Sequence, residues 1–455
     1  MTGEHELVAW FDHQGGSLPV ASVRYASRDD IWQLRYTPEW LGTHQSFAFS
    51  PALALSRGEK TTDYATHTVK RFMENLLPEG QALEVAASMI GVTRSNIFGL
   101  IHALGAETTG AFRFLPAGVD GQAQAAVPAR QVGVQELDER IAGRREQPFG
   151  IWDNKLRMSA AGYQDKLLVF CEGDPAEGDR MYLPDFPLAS TYILKPEPFD
   201  RREHMVANEH YCMALARALK LPAARTSILR TPRPVLAVAR FDRRIRRTSQ
   251  YPLVLRSHIV DACQALDAPV SYKYERNIGS EQATRLYRDG VSLPRLFSLM
   301  DCSVTPAAHK LELVRWLLFQ LTIGNSDAHG KNISFGMVQN RLTPAPWYDL
   351  VSVVQYPVSH ELSMAVGDQF ELDNLTAFDI GYFAHVCKVP ATVLVREADR
   401  LVKGVQKHAA QVVADEPFEE DERGFVQHIA DFALQQAARL AGLTREAAKL
   451  TTDIY

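Results

Sequence analysis

The 455-residue sequence is short of cysteine and has no long apolar run. Its five cysteines, Cys171, Cys212, Cys263, Cys302 and Cys387, are odd in number and widely spaced, and no Cys-x-x-Cys pair occurs. That argues against a disulfide framework or a cysteine zinc site and fits reduced thiols. The greasiest stretch, Trp316 to Ile323, contains Gln320, and it falls well short of the ~18 apolar residues of a membrane span. Near the N-terminus, Glu4, His5 and Glu6 stand where a secretory signal would be basic and then apolar. The expectation is a soluble, cytoplasmic protein with no membrane partner. Positive charge is not in excess either. The chain has 49 Lys+Arg against 54 Asp+Glu, a formal net charge of −5. As a whole it is therefore no basic nucleic-acid coat. Neither Gly-x-x-x-x-Gly-Lys-[Ser/Thr] nor Gly-x-Gly-x-x-Gly occurs, which removes two common nucleotide loops.

What is present is globular in kind. Hydrophobic residues make up 46% and charged residues 23%, close to the average soluble domain. The length suggests two to four domains at about 150 residues each. Short β-branched and aromatic runs at Leu7–Phe11, Leu18–Arg24 and Ile31–Tyr36 read as strands, with turn signals between them. Tyr64 to Leu77 has helical spacing and stops at Pro78. Phe112–Leu115 reads as a closing strand, followed by a stretch rich in Ala, Gly, Gln and Pro over 117–134. Strands then alternate with helices: Lys166–Phe170 and Thr191–Leu194, a helix over His204–Leu219, and strands at Ile228–Leu229 and Val235–Ala239. Helical patterns cover Ala307–Ile323 and Phe425–Leu450. The order predicts an N-terminal β-rich subdomain with helices (1–116), a linker (117–134), a β-rich lobe (135–300) and a helical lobe (301–455). In fold class this is α+β, and the order is compatible with a two-lobed phosphotransferase layout, a β-rich lobe over a helical one.

The stretch Gly324-Asn325-Ser326-Asp327-Ala328-His329-Gly330-Lys331-Asn332 carries the most chemistry. It follows an apolar helix and precedes a β-like run, so it is a polar loop between packed elements, where catalytic groups usually sit. Asp327 and Asn332 are five residues apart, the offset of the protein-kinase catalytic loop. There the Asp faces the acceptor hydroxyl as base and the Asn oxygen reaches a Mg²⁺ on the nucleotide. Seventeen residues beyond Asn332 stands Asp349, after a stretch that suits a β-hairpin turning near Gln339-Asn340. Asn332 and Asp349 would supply the hard oxygens that Mg²⁺ prefers. Lys195 ends an apolar strand, and Glu209 lies on the following helix. A strand lysine with a helix glutamate is the recurring clamp on kinase phosphates. The loop from Arg157 to Lys166 has small residues at Ala160, Ala161 and Gly162, whose backbone N–H groups could approach phosphate oxygens.

Taken together, these segments resemble the HipA family of serine/threonine-protein kinase toxins from bacterial toxin–antitoxin systems. The resemblance runs over nearly the whole chain. Tyr36 to Leu41, Asn75 to Glu79 and Gly105 to Ala111 are similar to its N-terminal subdomain. Ser159 to Lys166, Asn208 to Cys212, Arg240 to Arg244, Asp261 to Gln264 and Lys273 to Glu275 resemble its later motifs, in order. The resemblance implies ATP and Mg²⁺ as cofactors, Asp327 as base, and Asn332 and Asp349 as metal ligands. It implies Lys195 on the phosphates, with Lys166, Gly162, His329 and Lys331 near the nucleotide, and Phe241 beside adenine at the hinge. Ser159 would be an autophosphorylation site that silences the kinase, since a phosphate adds about two negative charges in the same pocket. The implied partners are a HipB-like helix-turn-helix antitoxin, operator DNA mainly through that antitoxin, and an aminoacyl-tRNA synthetase as substrate, such as glutamyl- or tryptophanyl-tRNA synthetase. Two departures stand out. Ala239 replaces a glutamate of the best-known member, and Ala328 and Gly330 are interchanged within the loop. Two other readings stay open, a small-molecule phosphotransferase and a non-catalytic corepressor.

Other features have blander readings. Eight arginines fall between Arg225 and Arg247. A solvated hairpin with Arg240 and Arg243 in structural ion pairs is favoured over a nucleic-acid face. The acidic run Asp415 to Glu422 reads as a solvated inter-helix loop. His329 reads as organising the Asp327 loop, and Cys263 as a core thiol.

Overall fold

The computed structural model describes residues 4–13, 16–55, 63–122, 128, 130–157, 164–185, 188–200, 202–247 and 252–450. The chain divides into two compact units, one of residues 1–196, 229–260 and 336–341, the other of residues 197–228, 261–335 and 342–455.

The first unit opens with a four-stranded antiparallel sheet. β1 (Glu4–His13), β2 (Gly16–Ala26), β3 (Ile31–Tyr36) and β4 (Phe112–Pro116) lie in the order β3-β2-β1-β4. Strict alternation along β3 buries Trp32, Leu34 and Tyr36 on one face, as period-two patterning requires. Helices α1 (Thr66–Glu74), α2 (Gly80–Ile90) and α3 (Ile97–Leu104) follow, and α1 packs on β3. The helix expected to reach Leu77 ends at Glu74: the Asn75 side-chain amide donates to Arg71 O at 2.9 Å, and Leu76 and Leu77 continue only as i→i−3 turns. The sequence reading did not anticipate α2, whose buried face is made of alanines rather than large apolar residues. Residues 117–122 pack back on the sheet: Arg113 donates to Gly121 O at 2.6 Å and Gln122 to Ser17 O at 3.0 Å. A Cβ on Gly121 would fall 2.1 Å from the Trp10 ring.

A second sheet follows α4 (Val134–Ala142). It is formed by β5 (Leu167–Val169), β6 (Tyr192–Pro196), β7 (Thr226–Arg230) and β8 (Pro234–Ala239), in the order β7-β8-β6-β5. Leu167, Val169, Leu194, Val235 and Ala237 form a core with Leu137 and Ile141 of α4. β9 (Arg243–Arg247) and β10 (Pro252–Arg256) make an antiparallel ribbon.

The second unit is mostly helical. α5 (Met205–Ala218) is buried on every side from Met205 to Ala216. α6 (Pro306–Ile323) ends at Gly324, whose φ of 68° closes the helix with its N–H on Gln320 O and Leu321 O, a left-handed cap that suits glycine. A hairpin of β11 (Ser334–Val338) and β12 (Arg341–Pro344), whose tip over 336–341 belongs to the first unit, turns at Gln339-Asn340, as expected from the sequence. β13 (Glu361–Val366) pairs with β14 (Gln369–Glu371). α7 (Ala377–Val386), α8 (Ala391–Asp415) and α9 (Glu420–Ala447) complete the unit, with α9 packed on α6, α7 and α8. The acidic run is not a simple solvated loop. Glu419 and Glu422 form a capping box at the start of α9, where carboxylates favour the exposed N–H groups. Glu416 accepts from the buried His210 at 2.9 Å. Among the described residues no helix is long and apolar enough to cross a membrane. The helix and sheet content is that of the α+β class.

Candidate active site

The loop after α6 is built around Asn325. This residue is buried, and all its side-chain polar groups are engaged. Nδ2 donates to Gln320 Oε1 at 2.9 Å and to Asp349 O at 3.4 Å, and Oδ1 accepts the Asp327 N–H at 3.1 Å. One amide therefore ties the end of α6, the loop Asp and the post-hairpin Asp together. Asp327 itself is exposed, as a group that must meet a substrate has to be. Its carbonyl accepts the His329 N–H at 2.8 Å and the Asn332 side-chain amide at 2.9 Å. Its carboxylate Oδ1 accepts the Tyr274 hydroxyl at 2.7 Å.

The rest of the loop is scaffold. His329 is buried, its Nδ1 accepts the Lys331 N–H at 3.2 Å, and its ring meets Tyr274 edge-on at 5.0 Å. These contacts tie it into the loop. Lys331 sends Nζ 2.6 Å from Asp261 Oδ2, and both side chains are largely buried. Asp261 is in turn the capping-box residue of the short helix Ala262–Ala265. Lys331, expected near the nucleotide, thus braces the loop against the Asp261 cap. Gly330 has no room for a side chain, since a Cβ would lie 2.7 Å from Val291 Cγ2. Ser326 O accepts both the N–H and the hydroxyl of Ser363 on β13, at 2.9 and 2.6 Å. Tyr348 donates to Lys331 O at 2.8 Å.

Asp349 stands at φ 57°, a left-handed conformation that costs a non-glycine residue energy and recurs at functional sites. Asn332 gives its NH₂ to Asp327 O, which leaves Oδ1 as its remaining acceptor. An amide oxygen and a carboxylate are hard donors that suit Mg²⁺. Among the described residues no group of three or more His, Cys, Asp or Glu could hold a metal.

In the first unit, Lys195 lies on β6 opposite Leu236, partly exposed. Lys166 is buried just ahead of β5. Phe241 sits between two locked neighbours. Arg240 pairs with Asp242 at 2.8 Å and with Glu107 at 3.1 Å, and Arg243 pairs with Asp242 at 2.5 Å. Arg256 reaches Glu107 at 3.0 Å, and Asp12 holds Arg113 at 2.5 Å. Arg240 and Arg243 are thus in structural ion pairs, as the sequence reading favoured. Burial would raise the Glu107 and Asp242 carboxyls, but the surrounding guanidiniums outweigh it and hold both below the usual range. Glu209 is buried on α5 in the second unit. Ser159 and Gly162 lie outside the described residues.

Asn325 and Tyr274 were not singled out as site residues from the sequence. Asn325 stood inside the motif, and its amide next to the catalytic-type Asp was the available signal. Tyr274 lies 53 residues from Asp327, and no local pattern connects the two.

Comparison with known proteins gives a coherent result. A HipA N-terminal domain matches residues 16–115 and a HipA-like C-terminal domain matches residues 158–413. The serine/threonine-protein kinase toxin HipA of Shewanella oneidensis is 36% identical over 440 residues, 95% of this chain and 96% of that protein. Y4mE of Sinorhizobium fredii is 30% identical over 405 residues, 87% of this chain and 90% of that protein. A structure from Shewanella oneidensis MR-1 of HipA with HipB and its operator DNA superposes with a TM-score of 0.83 at 34% identity. It covers 98% of this chain and 100% of that one.

Proposed function

Because the chain belongs to the HipA family of serine/threonine-protein kinase toxins, we propose that it transfers the γ-phosphoryl group of ATP to a serine or threonine of another protein. The observation that carries this reading is the Asn325 hub, which holds Asp327 and Asp349 from one buried amide. Asp327 takes the proton of the acceptor hydroxyl as the new O–P bond forms and the bond to the departing ADP oxygen breaks. Asn332 Oδ1 and the Asp349 carboxylate would hold Mg²⁺, which would supply charge neutralisation on the phosphates. Lys195 and Lys166 are the proposed sources of positive charge for the phosphates. Gly162 lends backbone to the phosphate loop, and Phe241 lies against adenine. His329 and Lys331 keep the loop in shape. Positioning and electrostatics carry the catalysis.

Ser159 is the proposed autophosphorylation site. The proposed partners are a HipB-like helix-turn-helix antitoxin, which would make most of the operator DNA contact, and an aminoacyl-tRNA synthetase as substrate. Arrested charging would halt translation and growth.

Intact mass spectrometry of unphosphorylated protein after incubation with Mg-ATP tests the reading. Wild type should gain phosphate, Asp327→Asn none, and Ser159→Ala should lose the autoregulatory phosphate. A wild type that gains none sinks the catalytic reading. Phosphate that persists on Ser159→Ala removes only the role of Ser159.

A further inference from the structure

Next to Asp327 the chain makes a closed surface loop that the catalytic reading leaves unused. It runs from Glu275 to Gly290, and its ends meet: the Gly290 N–H donates to Glu275 O at 3.1 Å. A Cβ on Gly290 would fall 1.7 Å from Tyr274 O, so only glycine lets the two ends come this close. Inside, Arg276 Nε donates to Arg285 O at 3.1 Å, and Thr284 Oγ1 to Gly279 O at 3.1 Å. This is an Ω-loop, a form that is compact in itself and frequently functional.

The loop is anchored firmly. Glu275 is buried and accepts from Arg288 at 2.7 Å and from the Ala365 N–H of β13 at 2.8 Å. Arg288 also pairs with Asp368 at 2.7 Å, and Arg276 pairs with Glu361. Both guanidiniums stack on Phe370, at 3.8 and 5.1 Å from its ring centre. β13 is the strand whose Ser363 holds Ser326 of the catalytic-type loop. The Ω-loop and Asp327 are therefore fixed to one support.

Beside the exposed Ser280, Glu281, Gln282, Arg285 and Asp289, this anchored loop shows three large apolar side chains to solvent. Leu286 is 84% exposed, Ile278 56% and Tyr287 54%. Single exposed apolar residues need no explanation, but three on one anchored loop mark an interaction surface. Its stem residue Tyr274 donates to the Asp327 carboxylate. A hydroxyl that is to be deprotonated must reach the same carboxylate, at about 2.7 Å. Chain flanking such a hydroxyl then lies beside Tyr274 and the loop.

We infer that the Glu275–Gly290 loop is the docking surface for the acceptor segment of the protein substrate, and that this segment carries large apolar side chains beside its serine or threonine. Leu286, Tyr287 and Ile278 receive those side chains, and the Tyr274 hydroxyl holds Asp327 until the acceptor hydroxyl takes its place. The inference rests on the kinase reading of Asp327. It adds a substrate preference to that site.

The test uses the full chain and a set of Ser/Thr peptides whose flanking positions are Leu and Phe, Ser, Glu, or Lys. Wild type should phosphorylate the Leu/Phe-flanked peptides with a kcat/KM at least tenfold above the others. In a Leu286→Asp, Tyr287→Ser double variant that advantage should vanish through a raised peptide KM, while KM for ATP and the melting temperature stay within error. Both residues are exposed, so the variant leaves the core alone. A Glu281→Ala variant on the same loop should keep the wild-type preference. An unchanged preference in the double variant overturns the inference. So does a wild type that autophosphorylates with Mg-ATP yet shows no apolar preference or modifies no peptide. A wild type that does not autophosphorylate at all removes the kinase reading, and the docking inference falls with it.

Discussion

At the scale of single residues, the site depends on groups that touch no substrate. Asn325 makes three hydrogen bonds from a buried side chain, and leaving buried partners unsatisfied costs about 1–3 kcal/mol each. Asn325→Ala should lower kcat about 100-fold, the scale expected for a roughly 1 Å misplacement of catalytic groups, with KM for ATP changing far less. Steady-state phosphorylation assays check the split, and a wild-type kcat would remove Asn325 from the positioning role. Much of the site was legible at this scale. The Asp327–Asn332 offset, Asp349 and the hairpin between them are local in sequence, and the structure brings them to one hub. Tyr274 was legible only as part of a motif. Its hydroxyl finds Asp327 because Gly330 and Val291 pack the two segments together, and no spacing rule encodes that approach.

At the scale of elements, the β9–β10 ribbon and the segment between α3 and β4 share one buried ionic cluster. Asp242 takes Arg240 and Arg243, while Glu107 takes Arg240, Arg243 and Arg256. Buried ion pairs contribute little net stability when intact, but breaking one leaves an unpaired buried charge at about 3–5 kcal/mol. Asp242→Asn should therefore destabilise the protein by about that much, read as a lower midpoint of chemical denaturation. A change below about 1 kcal/mol would mean that the cluster tolerates the loss. The substitution should also weaken ATP binding, because Phe241 is held between two members of the cluster. Sequence periodicity anticipated the elements themselves well: β1 to β3, β6, α5, α6 and α9 all fall where the pattern put them, within a few residues. It did not anticipate α2, α3 or α4, and it left α7 and α8 inside a C-terminal stretch read only as mostly helical; α2 buries alanines rather than large apolar residues.

At the scale of the whole molecule, stability should fall in two stages on acidification. His258 is buried, its Nε2 donates to Phe49 O at 2.8 Å, and its ring packs against Phe47 and Phe112. Burial pulls its pKa down to about 4. In the unfolded chain a histidine takes its proton near 6.5. The stabilisation is complete above about 6.5 and is lost as pH falls towards about 4, a total of about 3 kcal/mol. Below that range the low carboxyls of Asp12, Glu107 and Asp242 take over, for their stabilisation is present above the unfolded value and is lost as they protonate. Denaturation midpoints from pH 7 to pH 4.5 should drop for wild type and flatten for His258→Gln; equal slopes would exclude His258. The sequence by itself determined the strands and helices, the catalytic-type loop with its oxygen donors and the family, because each is written in local spacing or in ordered motifs. Only the tertiary structure decided which distant groups meet. Tyr274 and Asp327 are 53 residues apart, Arg240 and Glu107 133, and His210 and Glu416 206. A periodic pattern tells which face of an element is apolar, whereas the partner of a buried charge is set by how the faces pack.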